Sequence, residues 1–111
     1  MKAIKREILL SFWKVHILHH AGEAPIHGQW VTAELRRHGY EISAGTLYPL
    51  LDRMKRLGWL KCESEPGGGA RARKDYRLTS NGRKVLAEVR AQLEELYDEV
   101  IRETAHKKSK K

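Results

Sequence analysis

Apolar residues recur along this chain in two different periods. From Ala3 to His20, the residues Ile4, Ile8, Phe12, Val15 and Leu18 fall at steps of three and four, with Leu9, Trp13 and Ile17 in a second row beside them. Together the rows predict one helix with a wide buried face, closed by the stretch Gly22 to Pro25. A face that wide needs more than one element to cover it, a second chain included. A shorter helix is expected from Gly28 to Arg37, burying Trp30 and Leu35. Arg36 and Arg37 suit the negative end of its dipole, and Gly39 can take the left-handed conformation that closes it.

The next segment, ISAGTLYPLLDRMKRLGWL over residues 42–60, combines helical spacing with two residues that oppose it. Leu47, Leu50, Leu51, Met54 and Leu57 define an inward face, yet Gly45 and Pro49 lie within the same run. Glycine costs roughly 1 kcal/mol and proline roughly 3 kcal/mol against alanine inside a helix. Pro49 lacks the N–H that would bond the carbonyl of residue 45 and its ring crowds that carbonyl, so glycine at 45 is expected to relieve the crowding. The pair is expected to bend the first turns and to hold Thr46 and Tyr48 outward, although Tyr48 could instead pack on the hairpin that follows. Ser43 is the expected N-cap, with Ile42 and Leu47 forming a hydrophobic staple, and Gly58 the stop. Helix, tight glycine turn and capped helix have the spacing of a helix-turn-helix.

After Gly58 the period falls to two. Leu60 and Cys62 point one way and Lys61 and Glu63 the other, and beyond a Pro66 to Gly69 loop Tyr76 and Leu78 alternate with Asp75 and Arg77. The two runs are expected to pair as a hairpin with Arg71, Arg73 and Lys74 at its tip, which makes the whole a winged helix. Thr79 then caps a last helix running to about Thr104. Leu86, Val89, Leu93, Leu96 and Val100 form a coiled-coil-like seam on it, widened by Val85, Tyr97 and Ile101. The expected class is therefore mainly α with a small β-hairpin. Residues 1–78 form the winged helix-turn-helix, 79–105 an added C-terminal dimerisation helix, and 106–111 a basic tail expected to be disordered.

Composition narrows the chemistry. The 111 residues carry a formal net charge of +8, from 22 Lys and Arg against 14 Asp and Glu, which suggests an anionic partner. Negative charge concentrates beyond Val85, away from the basic wing. Cys62 is the single cysteine, so no intramolecular disulfide can form. Neither a clean signal-peptide core nor a run of 18 apolar residues is present, and a cytoplasmic location without membrane contact is expected. His16, His19 and His20 sit at helical spacings that could hold a metal, but with no further ligand cluster visible they read as surface or interface histidines. No phosphate-cradling motif, carboxylate pair or triad is evident, so neither enzymatic activity nor a cofactor is expected.

The run Gly45-Thr46-Leu47-Tyr48-Pro49-Leu50-Leu51, with Arg53-Met54 and Gly58 after it, resembles the signature of the PadR family of bacterial transcriptional regulators. Pro25-Ile26-His27-Gly28 is similar to the family's lead into its second helix, Lys74 to Thr79 to its tyrosine-rich wing strand, and Asn81-Gly82-Arg83 to the start of its last helix. The likeness spans about residues 7–100. Two departures stand out: Gln29-Trp30 replaces a tyrosine and an acidic residue, and Asp75 replaces the first of two wing tyrosines.

The resemblance implies a repressor whose helix from Ser43 lies in the major groove of double-stranded DNA. Ser43, Gly45, Thr46, Tyr48, Pro49, Arg53 and Arg56 would form its DNA-binding face, with Arg71, Arg73 and Lys74 of the wing. It implies a homodimer made by the first and last helices through Phe12, Leu86, Val89, Leu93, Leu96, Tyr97 and Val100, on an imperfect palindromic operator. Trp13, Trp30 and Tyr97 are the candidate lining of a pocket between subunits for a flat hydrophobic effector. The competing reading is a protein-interaction winged helix whose basic face does not bind DNA specifically.

Overall fold

The computed structural model describes residues 2–64, 67, 69 and 72–103, with backbone alone for residues 2–4. Arg71, Pro66, Gly68 and the tail from residue 104 lie outside them, and with them the expectations placed there. In chain order the elements are α1 (Lys2–Glu23), β1 (Ile26–His27), α2 (Gly28–Arg37), α3 (Ala44–Arg56), β2 (Leu60–Ser64), β3 (Lys74–Leu78) and α4 (Ser80–Tyr97). The six residues Asp98–Glu103 continue α4 as a π-helical segment.

α1 runs three residues past the expected end and stops where Pro25, which has no N–H to donate, follows the last bond from Ala24 to the His20 carbonyl. The sheet has three antiparallel strands in the order β1-β3-β2. The hairpin is as expected, with Leu60 opposite Leu78 and Cys62 opposite Tyr76. β1 was not: two residues show no period, and Ile26 becomes a strand only by pairing with Tyr76.

One core joins these elements. Trp13, Ile17 and Leu18 of α1 meet Val31 and Leu35 of α2, the inner face of α3 and the sheet residues Leu60, Tyr76 and Leu78. Leu47, Leu51 and Met54 of α3 are wholly excluded from solvent. Each such side chain contributes about 1.5–3 kcal/mol by leaving water.

Four expectations are corrected here. Trp30 is 40% exposed, because Val31 and Leu35 set the inward face of α2 and Trp30 stands one residue round from it. Leu57 is also exposed, since it forms the C-cap of α3 where the chain already turns away. Leu86, assigned to a dimer seam, is buried within its own chain, where α4 first packs on the domain. Trp13, assigned to a pocket between subunits, is buried in the core, edge-on to Tyr40 at 6.1 Å.

Both helices of the helix-turn-helix close in the same way. Tyr40 N–H donates to Leu35 O and Gly39 N–H to Arg36 O; Trp59 N–H donates to Met54 O and Gly58 N–H to Lys55 O. These are Schellman closures, and they need the left-handed backbone that Gly39 (φ 90°) and Gly58 (φ 84°) supply.

The turn after α3 is tied to the start of α4 by Thr79. Its hydroxyl accepts from Gly82 N–H at 2.9 Å and donates to the Gly58 carbonyl, while its own N–H donates to Trp59 O at 3.0 Å. Gly82 then lies so close to that turn that a Cβ would overlap the Trp59 carbonyl oxygen and a Leu78 methyl. Replacing Gly82 with alanine should therefore cost about 1–3 kcal/mol by urea denaturation. Alanine at exposed Asn81 should change stability by less than about 0.5 kcal/mol, and equal effects at the two sites would show that the approach is not close.

Candidate nucleic-acid interface

Burying Leu47, Leu50, Leu51 and Met54 obliges the other side of α3 to face solvent, and Gly45, Tyr48, Pro49, Asp52, Arg53 and Arg56 are all exposed there. The helix runs through Pro49 without interruption from Ala44 to Arg56. Ser43 has the extended backbone of an N-cap, but its hydroxyl does not cap. It reaches instead toward the Thr46 hydroxyl at 3.4 Å, which also accepts from the Arg6 guanidinium at 3.2 Å. Thr46 is consequently half-buried and held by α1. The N–H groups of Ala44 and Gly45 are left without an acceptor among the described residues.

Gly45 is not explained by Pro49. A Cβ built there would meet nothing nearer than the Ser43 hydroxyl at 3.8 Å, so the expected relief of crowding is not what the position needs. Inside this chain alanine would fit.

Tyr48 is less free than its 43% exposure suggests. Its ring lies across the first residue of α2, where a Cβ on Gly28 would overlap the phenol. The tyrosine thus packs on the start of α2 rather than pointing straight out. It forms one wall of a cleft of about 610 Å³ between α2, α3 and the wing, lined also by His27, Gln29, Asp52, Arg73 and Lys74. Tyr76 closes the bottom. Burial, then the neighbouring Cys62 thiol, pushes its phenol up to about 12, which keeps it neutral.

Three arginines of α3 and the wing are paired, all of the partners exposed except half-buried Asp75. Arg56 Nε lies 3.1 Å from Asp52 Oδ2 one turn earlier, Arg73 Nε 3.2 Å from Asp75 Oδ1, and Arg77 Nε 3.4 Å from Glu63 Oε2. Asp75 therefore does not stand alone on the wing; it holds Arg73. Arg53 has no carboxylate partner among the described residues. Sequence reasoning missed Arg6, which reaches Thr46, and His27 and Gln29, which line the cleft; all three places follow from tertiary packing and leave no periodic trace.

Elsewhere the structure leaves an apolar strip uncovered. Ile8 and Phe12 of α1, Leu93, Leu96 and Tyr97 of α4, and Val100 and Ile101 beyond it are 39–56% exposed. Between α1 and α4 they border a groove of about 490 Å³ lined by Phe12, Val15, His16, Tyr40, Leu86 and Leu93, among others. Val89 is half-buried at its side. Within one chain the residues Trp13, Trp30 and Tyr97 are not brought together: Trp13 is in the core, Trp30 lies against His20, and Tyr97 stacks under Arg102 near the far end of α4. No helix among the described residues is long and apolar enough to cross a membrane.

A helix-turn-helix with a β-wing and a long helix after it defines a class of transcriptional regulators. Residues 17–88 match the transcriptional regulator PadR-like family, and this chain belongs to that family. It is 48% identical to the transcriptional regulator Rv3488 of Mycobacterium tuberculosis over 91% of this chain and 94% of that one. Among solved structures it is similar to a PadR-like transcription factor from Bacteroides fragilis (TM-score 0.76, 28% identity, 88% and 95% of the two chains covered). It is similar also to a PadR family transcriptional regulator from Eggerthella lenta (TM-score 0.69, 36% identity, 89% and 90% covered). The family consists of regulators rather than enzymes.

The contact between Tyr48 and Gly28 can be measured directly. Gly28→Ala should cost about 1–3 kcal/mol in the parent chain, and clearly less in a Tyr48→Ala background. Strictly additive costs in this double-mutant cycle would show that the ring does not lie on the glycine.

Proposed function

We propose that this chain represses transcription as a homodimer, with α3 of each subunit in the major groove of an imperfect palindrome. Gly45 carries the reading. It is a costly residue that its own chain does not require, set on an exposed face, with two free backbone N–H groups beside it and Arg53 and Arg56 further along. A bare backbone with free N–H groups is what close approach to a phosphate requires. Ser43, Thr46, Tyr48 and Pro49 then frame the contact, Arg73 and Lys74 of the wing meet the flanking backbone, and the Arg6–Thr46 bond fixes the angle of entry.

The exposed strip on α1 and α4 supports the dimer. Seven large apolar side chains left in water make a poor monomer surface, and a second copy with the same strip covers both at once. Phe12, Leu93, Leu96, Tyr97 and Val100 form its centre, with Val89 at the edge and Leu86 supporting it from the core. Release by a small hydrophobic effector would act through the groove between α1 and α4, not through Trp13. Such regulators work in the cytoplasm, where the operator is.

Fluorescence anisotropy on random duplex should show affinity falling steeply with salt, as counterion release requires. A flat response would favour the protein-interaction reading. Gly45→Ala should leave the fold as stable or make it stabler by up to about 1 kcal/mol, from helix propensity. Yet it should weaken operator binding about tenfold or more, some 1.4 kcal/mol; undiminished affinity would remove the observation on which the reading rests. On the second face, Leu93→Asp should convert dimers to monomers by light scattering without loss of helical circular dichroism. A dimer that persists would move the interface elsewhere.

A further inference from the structure

Three histidines that the DNA reading does not use converge where α1 meets the end of α2. His16 and His20 stand one turn apart on α1, and His38 is the C-cap residue of α2. One ring nitrogen from each lies within 4.8 Å of the others. The His16 ring is stacked between its partners, with centroids 6.2 Å from His20 and 5.3 Å from His38. Sequence spacing pointed to His16, His19 and His20; folding replaces His19 with His38, which is also exposed but comes from another element.

Such an arrangement is what an imidazole-binding metal ion needs. In a tetrahedral zinc site with Zn–N of about 2.0–2.1 Å, the ligand nitrogens are about 3.3 Å apart. Rotamer changes that move each nitrogen by about an ångström would close this set. Three histidines and one open position make a complete protein ligand set for zinc, and imidazole likewise suits cobalt, nickel and copper. An outer partner is also in place. His38 Nε2 lies 3.2 Å from Glu34 Oε1, the histidine–carboxylate pairing that orients a metal-bound ring and strengthens its donor nitrogen. Trp30 packs edge-on against His20 at 5.1 Å and Tyr40 against His16 at 5.5 Å, so aromatic walls limit how far the rings can swing.

We infer that His16, His20 and His38 form a binding site for a divalent transition-metal ion of the zinc type, bridging α1 to the end of α2. The rival arrangement is His19, His20 and Glu23, which lie within one turn and a half of α1; His19 and Glu23 are exposed. Two turns of a single helix pinned together would be a surface contact, whereas the proposed set joins two elements.

The test uses full-length protein free of any affinity tag and stripped with chelator, titrated with Co²⁺ alone. Tetrahedral coordination gives visible d–d absorption, which Zn²⁺ should abolish by competition and Mg²⁺ should not, because it prefers oxygen ligands. One ion per chain is expected. His16→Ala and His38→Ala should each weaken binding at least about tenfold, Glu34→Gln by about 10–100-fold as an outer partner, and His19→Ala should have no effect. His38→Gln, which keeps a polar side chain at the cap, should lose binding as His38→Ala does. Melting curves of the metal-free variants separate loss of ligand from loss of fold: one fixed metal concentration should raise the melting temperature equally in the parent and in His19→Ala, and less in the other variants. The inference is overturned if the parent shows no saturable Co²⁺ absorption. It is equally overturned if binding survives His38→Ala but falls with His19→Ala or Glu23→Ala.

Discussion

The burial of one face of α3 is the constraint from which the remaining geometry follows. Leu47, Leu51 and Met54 have no solvent contact at all, and Leu50 very little. Rotating the helix by even a quarter turn would bring several of these side chains into water, at about 1.5–3 kcal/mol each. A domain whose total stability is about 5–15 kcal/mol cannot tolerate that loss. The outward face is therefore as well determined as the inward one, although most of it is exposed. Schellman closures at the ends of α2 and α3, and the Tyr48 ring on Gly28, set the depth and tilt of the same helix.

Electrostatics refines that face without holding it. The pairs Arg56–Asp52, Arg73–Asp75 and Arg77–Glu63 are exposed but for half-buried Asp75, and surface pairs contribute about 0–1 kcal/mol to stability. They can be surrendered cheaply when a phosphate competes for the guanidinium. Meanwhile they shorten the search, because each arginine is already extended in one direction. Asp75 illustrates the point. Taken as a letter in the sequence it is a misplaced negative charge; in the fold it is the partner that keeps Arg73 at the mouth of the cleft.

Strongly periodic segments were legible in the sequence, and so was the family. The bounds of α2 and the alternation of Leu60, Tyr76 and Leu78 follow from spacing and stop signals alone. What escaped depends on contacts between distant residues. β1 is too short to have a period, and Trp30 and Leu57 carry apolar letters at positions the packing turns outward. Leu86 continues the pattern of the exposed strip yet belongs to the core, because it lies on the early part of α4 that packs on the domain. His38 is silent in the sequence for the same reason: its neighbours on α1 are some twenty residues away. On the candidate DNA face the residue types were readable, but the reason for Gly45 was not. Only the open space in front of it separates a glycine kept for Pro49 from one kept for something outside the chain.

The near-contact between Gly82 and the Trp59 carbonyl has a mechanical meaning. A helix joined to its domain through several flexible residues acts as a tether, and its far end can swing without disturbing what it is tied to. α4 has no such slack: its first turn is wedged against the turn that follows α3, with only a hydrogen atom's room between them. The shaft from Ser80 to Glu103, about 36 Å long at 1.5 Å per residue, is a lever whose short arm bears on the turn that closes α3. A tilt imposed at the distal end arrives there as rotation rather than being lost in the joint.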